Sequence, residues 1–323
     1  MAQAYAYRGN DDFLAAVEGR LSAAGYARTE DAAAADVLLS FCTSHTQLEE
    51  LYFGEAGFMQ EARPGAVLVD VSASTPNLAR EMNAVATVSD MVMVEAPFVL
   101  RDLTAEDGLA KDNLLCFVAS ESESDAVEKV AQPFLDALFD ECDVCGAPGS
   151  AQLMRAAHTL QATSQMIGVM EADALCSAMS RSVNGASMGT LRLEADSTQA
   201  LHTLEAVHAK RFNGTYTVEM LMAALSSAIM AADDAELILP QAEAGLHLLE
   251  LLAVIGGSDK APAALALVYG DESDCAAQGL DWSRAEQVYG EEHEHDHDHD
   301  HYGMDDYDYD DDDYDAGFDY SAN

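Results

Sequence analysis

The turn Gly146-Ala147-Pro148-Gly149 divides the chain into two patterns that require different architectures. Upstream of it, apolar runs of strand length alternate with longer amphipathic stretches; downstream, to about Tyr269, apolar residues recur at helical spacing. A Gly-Pro-Gly turn stops a strand, because proline lacks the ladder donor and glycine tolerates left-handed backbone. Ser150 then stands where a hydroxyl can cap a helix N-terminus. Behind it Leu153, Met154, Ala157, Leu160, Met166, Ile167 and Met170 follow at helical intervals, which predicts a long spine helix over about 150–181 joining two domains.

Upstream, strands are predicted at 2–8, 35–41, 65–71, 91–95 and 114–118, and a further one carries Cys142 to Cys145. Helices are predicted at 12–24, 47–60, from Asn77, and at 125–139. Such alternation, with strands apolar along their whole length, indicates a parallel α/β sheet. Downstream, helices are predicted at 197–210, 216–233, 240–256 and 261–270, punctuated by Asn213-Gly214 and Pro240. Residues 291–323 are low-complexity Asp/His/Tyr sequence that cannot bury a core. The expected organisation is a domain over 1–148, a helical domain over 149–272, and a linker with a disordered tail over 273–323.

The chain carries 58 Asp plus Glu against 15 Lys plus Arg, and its last 33 residues hold 15 of those acids with no base, leaving a formal charge of −28 on the rest. Such a surface repels polyanions, so neither nucleic acid nor an anionic membrane is an expected partner. The run from Leu246 to Ile255 is interrupted by His247 and Glu250 and is too short to span a bilayer. With no basic, apolar leader at Met1-Ala2-Gln3-Ala4-Tyr5, and six cysteines in a long chain, a reducing cytoplasm is the expected location.

The order of several short motifs resembles a known family. Asp70-Val71-Ser72-Ala73-Ser74-Thr75-Pro76 is similar to a D-x-S-T-x-x-P segment, and Glu95-Ala96-Pro97-Phe98 to D-A-P-V. Gly108-Leu109 followed by Leu115-Cys116-Phe117-Val118, the pair Glu171-Ala172, Phe212 and Pro240 stand at further landmarks. Together these resemble the β-hydroxyacid dehydrogenases, the group of 3-hydroxyisobutyrate and 6-phosphogluconate dehydrogenases. The resemblance covers roughly residues 9–270. It implies an α/β Rossmann-like N-terminal domain followed by an all-α domain that drives homodimerisation. It also implies NAD(P)-linked oxidation of a small β-hydroxy acid.

At the family's functional positions the sequence departs from the pattern. Its glycine-rich loop aligns with Gly9-Asn10-Asp11-Asp12, where only Gly9 survives as a cofactor-binding position. Two carboxylates facing a diphosphate at about 4 Å would each cost on the order of 1–4 kcal/mol. Between Gly25-Tyr26 and Ala35-Asp36-Val37 the segment is too short for the strand end, helix and strand that recognise the adenosine ribose, so the Rossmann-like domain is expected to be shortened. Ser72 matches a serine that holds the substrate, while Val99-Leu100-Arg101 replaces S-G-G. Arg155 stands for the family's lysine and Thr159 for its asparagine; Val218 and Glu219 replace a later Lys-Asp pair. Arginine hardly releases a proton, although it can grip a carboxylate in a bidentate manner. The expectation is a non-catalytic or repurposed relative, binding at most a small carboxylate ligand and associating with itself. The alternative is an active NAD(P)-dependent oxidoreductase rebuilt around Ser72, Arg155, Thr159 and His158.

Three further groups carry potential chemistry. Cys142-Asp143-Val144-Cys145 has redox spacing but lies in a strand rather than at a helix N-terminus. Cys42 and His45 end a predicted strand, where α/β proteins place ligand contacts. His293, His295, His297, His299 and His301 alternate with Glu294, Asp296, Asp298 and Asp300, a donor set suited to divalent Ni or Zn.

Overall fold

The computed structural model describes residues 3–121, 126–180, 193 and 195–290. The N-terminal unit runs β1 (Ala4–Gly9), α1 (Asp11–Ala23), β2 (Ala27–Arg28), β3 (Val37–Phe41), α2 (His45–Phe53), α3 (Phe58–Glu61), β4 (Val67–Asp70), α4 (Pro76–Val88), β5 (Val92–Glu95), β6 (Phe98–Leu100), β7 (Leu114–Ala119), α5 (Gln132–Leu138) and β8 (Glu141–Gly146). The sheet order is β2-β1-β3-β4-β5-β7-β6, with β8 added on β7.

Strands β3 and β4 are buried along their whole length because helices cover both faces. Alternate residues face opposite layers. Val37, Leu39, Val67 and Val69 pack with Phe13 and Val17 of α1 and Phe134 of α5. Leu38 and Leu68 pack with Leu48 and Tyr52 of α2 and Met82 of α4.

Two expectations need correction and a third holds. The sheet is not wholly parallel: β7 runs antiparallel to both β5 and β6. Between β6 and β7 the chain makes only a short 3-10 turn, Lys111–Asn113. Without a crossover helix a strand can only fold back. The helix expected at 47–60 is two helices, since Gly54 closes α2 and Gly57 opens α3; a Cβ on Gly57 would stand 2.6 Å from the Tyr52 carbonyl oxygen. Finally, β2 is two residues long and lies at the sheet edge, followed by a single 3-10 turn, Ala32–Ala34, before β3. This is the short connection that the spacing between Gly25 and Ala35 anticipated.

The helical unit comprises α6 (Ser150–Ser180), α7 (Thr198–His208), α8 (Val218–Asp233), α9 (Pro240–Leu252), α10 (Glu272–Ala277) and α11 (Ser283–Gly290), with tighter and wider turns at Pro262–Tyr269 and Ala253–Gly257. Helix α6 is the spine: it packs on α7, α8 and α9 on one side and on α4, β6, β7 and β8 on the other. Residues 273–290, expected as linker, instead belong to the packed unit. Cys275, Leu280 and Ala285 are buried in the same core as α9. Among the described residues no single helix is long and apolar enough to cross a membrane.

Candidate functional site

The carboxyl ends of β3, β4 and β5 converge on the N-terminus of α6 and bring two acids into the interior. Asp70 ends β4 and Glu95 ends β5, and they are register partners. Both are buried. Asp70 Oδ1 accepts from Ser40 Oγ at 2.8 Å, Ser72 Oγ at 2.6 Å and the Ser72 amide at 3.1 Å, while its Oδ2 has no partner. Burial raises its carboxyl to about 6, with the serine hydrogen bonds opposing.

Glu95 Oε2 accepts from the Gly149 amide and Oε1 from the Gln152 amide, each at 2.6 Å. The cap of the spine helix is therefore a carboxylate supplied by the sheet. Ser150, expected in that role, donates its hydroxyl backwards to the Ala147 carbonyl. Burial raises Glu95 to about 7, against the two amides that favour its charged form.

Ser72, expected to hold substrate, is fully buried. Its oxygen accepts from the Cys42 amide at 2.9 Å and donates to Asp70, so both hydrogen-bonding directions are used inside the protein. It locks the β3 and β4 exit loops together.

Arg155, expected as the substitute for the family lysine, is also fully buried. Nε donates to Gln152 Oε1 at 3.0 Å, one terminal nitrogen to the Ala224 carbonyl of α8 at 2.7 Å, and the other to the Ser74 carbonyl at 3.2 Å. Burial lowers its pKa to about 10, which still leaves it charged at neutral pH. With each nitrogen donating one bond and the side chain buried, Arg155 clamps spine, α8 and the sheet together. Gln152 completes the clamp, since its Oε1 also accepts from the Ser74 amide and its Nε2 donates to the Ser72 carbonyl.

His158 and Thr159 do not join Arg155. His158 is exposed and lies against the Phe117 ring, 5.1 Å between centroids. Thr159 is buried beside a small void of about 40 Å³ that it shares with His158, Phe98 and Tyr216. The set Ser72, Arg155, Thr159 and His158 is thus split between two interior networks and a surface face.

Gly9 has a structural duty of its own. Its φ is +139°, and an added Cβ would stand 1.9 Å from the Phe41 carbonyl oxygen, so only glycine lets β1 pass β3 there. Asn10 follows as the N-cap of α1, its side chain accepting from the Phe13 amide at 3.0 Å. Asp11 and Asp12 are exposed in the first helical turn. A dinucleotide needs free amides and positive potential at this helix end. Here one amide is taken and two carboxylates stand in the turn, so these residues do not fit a diphosphate in that pose.

Among its pockets the fold leaves open one of about 440 Å³ beside Gly9, Asn10, Asp11, Cys42 and Thr43, and a cleft of about 290 Å³ between the β3–α2 loop and helices α8 and α9. Thr43, Ser44, His45, Glu219, Ser226 and Glu250 supply the cleft's polar lining, and Met222 and Met230 its apolar one. The hydroxyl of Thr43 donates to Glu219 Oε1 at 2.8 Å, tying the two units across it. His45 opens α2, with Nε2 3.4 Å from Glu49 Oε1 and Nδ1 without a partner. Its neighbour Cys42 is a buried thiol, raised to about 12 mainly by burial. Among the described residues no cluster of His, Cys, Asp or Glu could hold a metal ion. The tail histidines His293, His295, His297, His299 and His301 lie outside the described residues.

Sequence reasoning missed Gln152 and used Glu95 only as a motif position. Glu219 entered only as a replaced aspartate. The signals were present, since Glu95 is an acid ending an apolar strand and Gln152 follows a helix start, but which amides they reach is decided across 50 or more residues.

Comparison with known proteins gives the same frame. Residues 7–146 match the model of the NAD binding domain of 6-phosphogluconate dehydrogenase. A probable mitochondrial 3-hydroxyisobutyrate dehydrogenase of Dictyostelium discoideum is 29% identical over 143 residues, 44% of this chain and 42% of that protein. An NAD-dependent L-serine dehydrogenase of Pseudomonas aeruginosa is 30% identical over 141 residues, 44% of this chain and 45% of that protein. The chain thus spans just under half the length of these curated relatives. The crystal structure of 3-hydroxyisobutyrate dehydrogenase from Salmonella typhimurium, 17% identical, covers 82% of this chain and 99% of its own with a TM-score of 0.60, a likeness of fold. The match of the N-terminal domain, the motif order and the shared sheet and spine helix together make this chain similar to the β-hydroxyacid dehydrogenases.

Proposed function

We propose that this protein has kept the family scaffold and lost its hydride-transfer chemistry, and that it uses the cleft between its two units to bind a small polar ligand. The observation that carries this reading is Arg155. The residue at the proton-relay position is buried, and each of its guanidinium nitrogens donates inward, to a side-chain amide and two backbone carbonyls. The acidic first turn of α1 and the two-residue β2 support it independently. Hydroxyls dominate the cleft lining and His45 is its one basic group, beside Glu219 and Glu250. That lining favours a neutral hydroxylated ligand over the small carboxylate that an accessible Arg155 would have received. Titration of the full chain with NADH and NADPH, followed by nicotinamide fluorescence, tests the proposal: no saturable binding below millimolar is expected, and micromolar affinity for either would overturn it.

An active NAD(P)-dependent oxidoreductase is the second reading, favoured by the match of residues 7–146 to an NAD binding domain. It requires turnover of a small hydroxy acid that His158→Ala abolishes while the melting temperature stays unchanged. Self-association through the helical unit is also proposed. Leu175, Leu201, Leu237 and Ile238 expose large apolar side chains there, more than isolated surface residues need. Binding of Ni or Zn by the histidine tail is an independent proposal, tested by calorimetry on the full chain against one truncated after Gly290.

A further inference from the structure

The Cys142-x-x-Cys145 spacing draws attention to the wrong partner. Cys142 packs with the large core, whereas Cys145 packs against Phe117, Ala119 and Ala151 on the opposite face of the sheet. The two cannot meet without unravelling β8, whose register already slips beside Cys145, between Val118 and Ala119 of β7. Across the β7–β8 ladder, however, Cys142 is the register partner of Cys116. Partners on adjacent parallel strands point to the same face and stand about 4.8 Å apart at Cα. A disulfide accepts Cα separations of roughly 4.4–6.8 Å.

The surroundings differentiate the two thiols. Cys116 is fully buried, and burial drives its pKa well up. Cys142 lies on the edge strand, partly exposed. A hydrogen bond from Cys116 draws its pKa down; burial, Asp136 and Asp143 oppose, and Lys111 assists. None of the six cysteines is in a disulfide.

We propose that Cys142 and Cys116 form a peroxide-reactive thiol pair, Cys142 as the attacking sulfur and Cys116 as the resolving one. The oxidant is a hydroperoxide. The Cys142 thiolate attacks one peroxide oxygen, the O–O bond breaks, and an alkoxide or hydroxide leaves, giving a sulfenic acid. Cys116 Sγ then attacks that sulfur; the S–O bond breaks and the departing hydroxide takes the Cys116 proton as water. The dithiol loses two electrons, and the hydroperoxide is reduced to an alcohol, or water, with one further water. The product staples edge strand β8 to β7 immediately before the turn into the spine helix.

The test uses the full chain with equimolar hydrogen peroxide, alkylation of the remaining thiols and peptide mapping without reductant. The expected result is a Cys116–Cys142 linked peptide that dithiothreitol reverses, with Cys42 and Cys275 still alkylated once the chain is denatured. A Cys142–Cys145 link, or consumption of peroxide with neither thiol linked, overturns the proposal. In Cys116→Ala, Cys142 should accumulate as a sulfenic acid captured by a 1,3-dione; an unchanged intrachain link at Cys142 would show that Cys116 is not the resolver. Because that variant removes a core side chain, Cys145→Ser serves as a second one. It should form the Cys116–Cys142 link at a rate within twofold of the parent, and a tenfold loss would assign the chemistry to Cys145 instead.

Discussion

At the scale of single residues, several positions that resemble a dehydrogenase's functional ones carry structural duties here. Gly9 is the simplest case: it is required by the approach of the Phe41 carbonyl, whether or not a phosphate ever comes near. Gly9→Ala should lower stability by about 3 kcal/mol or more, since the strain lies in backbone that cannot yield; a urea midpoint measures it, and an unchanged midpoint would refute the assignment. Arg155→Met keeps volume but strands the Ala224 and Ser74 carbonyls, and should cost roughly 3 kcal/mol. His158→Ala, by contrast, touches an exposed side chain and should shift stability by less than about 1 kcal/mol. Arg155 and His158 are one turn apart in sequence, yet only the tertiary environment separates a clamp from a surface residue.

At the scale of elements, the junction between β5 and α6 is the most consequential contact. A helix of 31 residues begins on the carboxylate of Glu95, not on its own Ser150. Both Asp70 and Glu95 have carboxyls raised above their unfolded values, to about 6 and about 7. Their sign follows directly. A folded state that holds protons more tightly than the unfolded chain is favoured at low pH, and that contribution disappears as pH rises through the folded pKa. Stability should therefore decline from about pH 4 to about pH 7 through these two groups, with Glu95 supplying on the order of 3 kcal/mol. Glu95→Gln should be less stable overall, because one of the Gly149 and Gln152 amides meets an N–H, and its profile over that range should be flatter. Chemical denaturation from pH 4.5 to 7.5 measures both; a variant as steep as the parent would show that Glu95 does not titrate there. The same junction shows what was legible in advance. The helix and its start were evident from the Gly-Pro-Gly turn and the apolar spacing, but the cap came from 54 residues upstream.

At the scale of the whole molecule, the helical unit and the sheet are joined by the spine and by polar bridges from Thr43 to Glu219 and Asn77 to Asp234. The exposed apolar residues of the helical unit point to a self-associating surface. The full chain is expected to sediment as a dimer or larger, and Ile238→Asp with Leu175→Asp should shift it towards the monomer. Monomeric behaviour of the parent chain at tens of micromolar would dismiss that surface.

The sequence by itself determined the alternation of strand and helix, the long spine, the helical second half and the dehydrogenase resemblance. These depend on local periodicity, turn chemistry and motif order, which are properties of neighbouring residues. It also foretold the shortened connection between β1 and β3, because so few residues leave room for only a two-residue strand and a single turn. The reversal of β7, the packing of 271–290 and the fate of Ser72, Arg155, Thr159 and His158 were decided only by the tertiary structure. Whether a polar side chain faces a cleft or the interior depends on which distant carbonyls and amides come within 3 Å of it. No local pattern records that distance.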